Sequence, residues 1–211
     1  MNSREAVLGR VRGAVGAGGA AEAYSELARN YRQRGTMSGD ARIALMAERL
    51  REYDAVVAEC APERLTETIA EQLAASGRKT LVVPAGLPRA WMVAGYEWRV
   101  DDGLSNEEIE RADGVVTAAF CGVAESGTMV LHHSASEGRR VLTLLPDWHL
   151  CVLRASQIVE ALPEYFARCE EPPRLATYIS GPSATADIEM TRIKGVHGPR
   201  FLHVILVRDD R

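Results

Sequence analysis

The run from Asp54 to Val83, DAVVAECAPERLTETIAEQLAASGRKTLVV, decides the fold class. It opens on the apolar segment 55–58, short and valine-rich, which is a strand signal. Pro62 then stands at a first helical position, where its missing N–H goes unfelt, and Gly77 stands just past a helical stretch over 63–76. A second apolar segment, 80–83, follows. Strand, helix and strand in about thirty residues make a βαβ unit. Both strands are apolar throughout rather than alternating, so they are expected in a parallel sheet buried on both faces.

Toward the C-terminus, further strands are predicted over 114–120, 128–131, 141–145, 149–153, 177–179 and 201–207. Ser105-Asn106-Glu107-Glu108 reads as a capping box opening a short helix, and 155–169 reads as largely helical with Pro163 interrupting it. The stretch 114–153 leaves almost no room for helices, so hairpin-linked or antiparallel strands are expected to add to the parallel ones. The expected architecture is α/β, a mixed, largely parallel sheet with helices on both faces. In such sheets ligands bind in the crevice at the carboxyl ends of the strands.

Toward the N-terminus, residues 1–52 are rich in Ala, Arg and Glu, with helices expected over 3–11 and 40–51. Ile43, Met46, Ala47 and Leu50 fall on one face of the second. We read 1–52 as a helical arm and 53–211 as the α/β domain.

With 211 residues, 46% of them hydrophobic, the chain can build a core without a metal or disulfide staple. The net charge of −4 argues against a nucleic-acid partner. Bases nevertheless gather from Arg192 to Arg208, with no acid between them. Among the four cysteines even the nearest two, Cys151 and Cys169, stand 18 positions apart, so no iron–sulfur ligand spacing is present and no cofactor or metal site is evident. Buried free thiols in a reducing cytoplasm are expected. No apolar stretch approaches the ~20 residues of a membrane span, and the start of the chain has no signal-peptide core, so no membrane partner is expected.

Three loops carry residues that packing alone does not demand. Pro84-Ala85-Gly86-Leu87-Pro88 reads as a plain strand-to-helix turn. In Gly122-Val123-Ala124-Glu125-Ser126-Gly127-Thr128, a carboxylate sits between apolar residues just before a strand. Gly127 admits a close backbone approach by a ligand. Glu125 is either a general base or carboxylate nucleophile, or a turn glutamate held by backbone N–H groups. Ser180-Gly181-Pro182-Ser183 follows a strand and precedes a helix-compatible stretch over 184–190, with Thr185 and Asp187 inside it. That would place backbone N–H groups and hydroxyls at a helix start, an anion site. Gly195-Val196-His197-Gly198-Pro199-Arg200 adds an imidazole and a guanidinium before the last strand. His132 and His133 end a strand with rings to opposite faces, Trp148-His149 reads as strand packing, and neither pair makes a metal site.

These residues carry a resemblance. Ala124-Glu125-Ser126-Gly127-Thr128-Met129-Val130-Leu131 resembles the Ala-Glu-Thr-Gly-Thr-Leu-Val-Leu stretch of the LUD domain, with Ser126 where that family usually has Thr. Residues 179–189 and 195–200 resemble its C-terminal signature, and length and N-terminal helices are similar to the lactate-utilisation protein C family. The resemblance implies the fold of CoA transferases and ribose-phosphate isomerase. It also implies a role in oxidising L-lactate to pyruvate beside iron–sulfur partner proteins. The site it and the loops suggest comprises Glu125, Ser126, Gly127, Thr128, Ser180, Gly181, Ser183, Thr185, Asp187, His197, Gly198 and Arg200, around a small anionic ligand. The expectations are therefore a non-redox component of a lactate-oxidising system, a CoA-transferase-like enzyme using Glu125 as nucleophile, or a ligand-binding regulator.

Overall fold

The computed structural model describes residues 2–15, 26–171, 173–186, 192–195 and 197–209. The chain divides into two compact units, Met1–Arg32 and Gln33–Arg211. The first contains helix α1 (Ser3–Val15), which buries none of its residues. The second opens with α2 (Gly39–Glu52), N-capped by Ser38, whose hydroxyl accepts from the Ala41 N–H. Ile43, Met46, Ala47 and Leu50 of α2 are no more than 1% exposed, so this helix is a core element. The arm expected over 1–52 therefore ends earlier, and the compact domain begins at Gln33.

In chain order there follow β1 (Val56–Cys60), α3 (Leu65–Ser76), β2 (Thr80–Pro84), β3 (Glu97–Asp101), α4 (Asn106–Glu110) and β4 (Gly114–Ala118). Next come β5 (Cys121–Val123), β6 (Thr128–Leu131), β7 (Trp148–Arg154), β8 (Ile158–Val159), α5 (Leu162–Arg168) and β9 (Thr177–Ile179). The last strands are β10 (Ala184–Ala186), β11 (Arg192–Lys194) and β12 (Phe201–Val207). Six strands form one sheet in the order β1-β12-β7-β4-β2-β3, parallel throughout. The antiparallel pairings do not extend that sheet; they belong to a second one, β8-β5-β6-β9, and to the hairpin β10-β11.

Both faces of the inner strands β12, β7, β4 and β2 are covered, as their mostly apolar sequences require, while the edge strands β1 and β3 are half-exposed. Cys151 and Leu153 of β7 and Val204 and Leu206 of β12 pack against α2 and against Met129 and Leu131 of the second sheet. Leu150, Val152 and Ile205 point the other way, onto Ile69 and Leu73 of α3. Two expected elements are corrected. The segment 141–145 lies mostly in a 3-10 turn, Arg140–Thr143, because Pro146 next to it has no N–H for a ladder. Within 155–169 only α5 is α-helical; Pro163 sits in its first turn, where proline is tolerated, and a 3-10 turn and β8 precede it. Among the described residues no helix is long and apolar enough to cross a membrane.

Candidate functional site

Strands β6 and β9 are neighbours, with Met129 opposite Ile179. That register sets Thr128, at the start of β6, beside Ser180, just after β9. Their hydroxyl oxygens are 2.6 Å apart, and Ser126 Oγ lies 2.7 Å from Thr128 Oγ1. A row of three hydroxyls thus joins two loops that lie 52 positions apart in the sequence. The glycines of these loops serve packing. Gly127 (φ +60°) and Gly181 (φ +93°) would place a Cβ 2.7 Å from Arg49 Cβ and 2.5 Å from Tyr53 Cβ, respectively. The C-terminal end of α2 therefore occupies the space expected for a ligand at Gly127.

Beyond Ser183 the chain turns into β10, not a helix. Among the described residues no helix starts after Ser183: Thr185 is a strand residue opposite Ile193, and Asp187 lies outside the described residues. Ser183 instead clamps the 195–199 turn. Its N–H donates to Pro199 O (2.8 Å), its O accepts from the Gly195 N–H (2.8 Å), and its Oγ accepts from the His197 N–H (2.9 Å). The Ser183 hydroxyl keeps its own proton for another partner.

Ser180, Ser183, His197 and Pro199 line a cleft of about 250 Å³ together with Arg140, Thr143, His149 and Leu202. His149 is 1% exposed and its Nε2 lies 2.8 Å from Thr117 Oγ1. Burial pulls its pKa down to about 4, so the cleft has a neutral imidazole at its base near pH 7. His149 and Leu202 are second residues of β7 and β12. The cleft therefore opens at the amino ends of the parallel strands, opposite to the carboxyl-end expectation.

The expected residues divide. Ser180, Gly181, Ser183, His197 and Gly198 line the cleft; Ser126 and Thr128 support Ser180 from behind. Arg200 does not line it. Its Nε and Nη2 donate to the two Asp147 carboxylate oxygens at 2.6 and 2.9 Å, and this holds the Asp147 carboxyl below the usual carboxylate range. Glu125 is an exposed residue of the turn Ala124–Ser126, its N–H donating to Glu160 O, and is not among the cleft residues. The histidine pair separates: His132 Nε2 meets Tyr165 Oη at 2.9 Å, and His133 meets Gly138 O and Thr177 Oγ1.

Sequence reasoning missed Arg140. Its guanidinium has no hydrogen-bond or ion-pair partner among the described residues, and it borders the cleft and an adjoining cavity that includes Leu145 and Asp147. Arg139 next to it is fully engaged, with Nε and Nη2 on Asp101 at 2.8 and 2.6 Å. A free guanidinium facing hydroxyls and a neutral imidazole suits a carboxylate. Among the described residues no group of three or more His, Cys, Asp or Glu side chains gathers for a metal.

Comparison with known proteins shows the family. The model of the LUD domain matches residues 15–207. The lactate utilization protein C of Deinococcus radiodurans is 41% identical over 164 residues, 76% of either chain. That of Bacillus subtilis is 37% identical over 134 residues, 58% of this chain and 55% of the other. A crystal structure of a DUF162 family protein from Deinococcus radiodurans matches with a TM-score of 0.67 at 32% identity, covering 82% of this chain and 99% of that one.

Proposed function

Because the chain belongs to the LUD domain family, we propose that it serves lactate utilisation as a component that binds a small carboxylate in the cleft between Arg140, Ser180, Ser183 and His197. The names of its relatives in two bacteria support the pathway. The single observation that supports the ligand class is the unpaired Arg140 guanidinium beside two seryl hydroxyls. The ligand's carboxylate takes the Arg140 fork, and the hydroxyls of Ser180 and Ser183 donate to its remaining lone pairs. His149 stays uncharged and adds no second cation to the site.

The oxidation itself belongs, in this reading, to iron–sulfur partner proteins. Cys60, Cys121 and Cys151 are buried at separate points of the core, a placement that fits a subunit without clusters of its own. The test uses a strain lacking the gene, complemented with the wild-type chain or with Arg140→Gln, grown on L-lactate as carbon source. Growth restored by the wild type and impaired with the variant is expected. Equal growth with both, or full growth without the gene and without a redundant system, removes the proposal. Affinity purification from the same cells reports whether iron–sulfur proteins accompany the chain.

A further inference from the structure

A second cavity, of about 260 Å³, lies at the opposite end of the parallel sheet. It is reached from the topology. The chain leaves β2 toward β3 on one side, and leaves the adjacent β4 toward β7 on the other. Neighbouring strands whose connections diverge open a crevice at their carboxyl ends, the usual ligand position in parallel sheets. Here Trp91 enters from the segment after β2, Phe120 from the end of β4, and Arg154 from the end of β7.

The fourth wall is Glu137, on a turn held by both exits of the switch point. The Gly86 N–H after β2 donates to Ala135 O (2.9 Å), and the Ala118 N–H ending β4 donates to Ser136 O (3.1 Å). Glu137 is 4% exposed, yet lines the cavity. Its carboxyl oxygens accept from the His132 N–H and, at 2.8 Å, from the Ser134 hydroxyl. Both donors are neutral, and no cation lies in ion-pair range of Glu137 among the described residues. Two neutral donors compensate only part of the desolvation cost of a carboxyl group withdrawn from water, and a positively charged ligand offsets the rest. Arg154 also lines the cavity and is ion-paired with Asp209 at 3.6 Å, longer than a hydrogen bond. Trp91, Phe120 and Val152 supply apolar lining to the same cavity.

We infer that this cavity binds a small zwitterion of the amino-acid type, its ammonium group on Glu137, its carboxylate toward Arg154 and its side group against Trp91 and Phe120. The site lies at the far end of the sheet from the Arg140 cleft and stands or falls independently of it. Titration of the ¹⁵N-labelled full chain with each of the common amino acids tests it, with L-lactate as the amine-free control. At least one amino acid at millimolar concentration is expected to move the Trp91 indole and the Ala119 and Phe120 amide signals, while L-lactate leaves them in place. Glu137→Gln is expected to weaken that binding by about tenfold or more, and Arg140→Gln to leave it unchanged. Arg154→Gln, a half-exposed position, gives the same readout should Glu137→Gln fail to fold. The inference is overturned if no amino acid moves these signals, if L-lactate moves them as strongly, or if the folded variants bind like the wild type.

Discussion

Two arginines and one histidine decide most of the chemistry at the residue scale. Arg140 and Arg200 carry the same group, but only Arg200 has a bidentate carboxylate partner. If the proposed cleft takes a small carboxylate such as L-lactate, Arg140→Gln should weaken that binding by about tenfold, roughly 1.4 kcal/mol, and leave stability unchanged. Arg200→Gln should do the reverse, lowering stability by less than about 1 kcal/mol because its bridge is half-exposed, with binding retained. Calorimetric titration and urea unfolding of both variants separate these outcomes; the opposite assignment would return Arg200 to the site. His149 sets a pH dependence. Its pKa falls from 6.5 to about 4 on folding, so between these values the unfolded chain holds more protons. Stability is thus complete above pH 6.5 and declines as pH falls toward 4, by about 3 kcal/mol for this group. His149→Gln should flatten the urea-derived stability profile in that window, and an unchanged slope would refute the assignment.

At the element scale, α4 is only five residues long and depends on its cap. The Ser105 hydroxyl accepts from the Glu108 N–H (3.2 Å), and the Glu108 carboxylate accepts from the Ser105 N–H (2.8 Å). Ser105→Ala should cost about 1 kcal/mol in urea unfolding; no loss would mean that tertiary packing alone holds the helix. This cap was legible because it is local. The buried strands β2, β4, β7 and β12 were legible for a similar reason, since a strand covered on both faces is apolar at most positions, with Thr117 and His149 as buried exceptions that bond each other. Strand β3 was not: Glu97, Arg99 and Asp101 break its apolar run, which an edge strand pairing only with β2 tolerates. The stretch after Ser183 suits a helix by composition, and only pairing with Arg192–Lys194 makes its start a strand. In the site, Ser180, Ser183 and His197 stood out as polar residues bracketed by Gly and Pro. Arg139 and Arg140 were indistinguishable, because the difference lies in Asp101, 38 positions away.

For the whole molecule, every residue of the four buried clusters lies between Ile43 and Val207. Residues 33–211 alone should therefore fold and melt in one cooperative transition at the wild-type temperature. Scanning calorimetry checks this, and a broad or lowered transition would show that the first 32 residues contribute to stability. Strand β7 carries a further consequence. His149 near its start borders one cavity, and Arg154 at its end borders the other. Five residues at ~3.3 Å each hold them about 17 Å apart. The strand is hydrogen-bonded on both sides and buried from Trp148 to Leu153, which makes it a stiff ruler. Two occupants are held apart along β7, although Glu137 beside one and Arg140 beside the other stand only three positions apart in the chain. Their binding free energies would add, unless one of them shifts the register that β7 shares with β4 and β12.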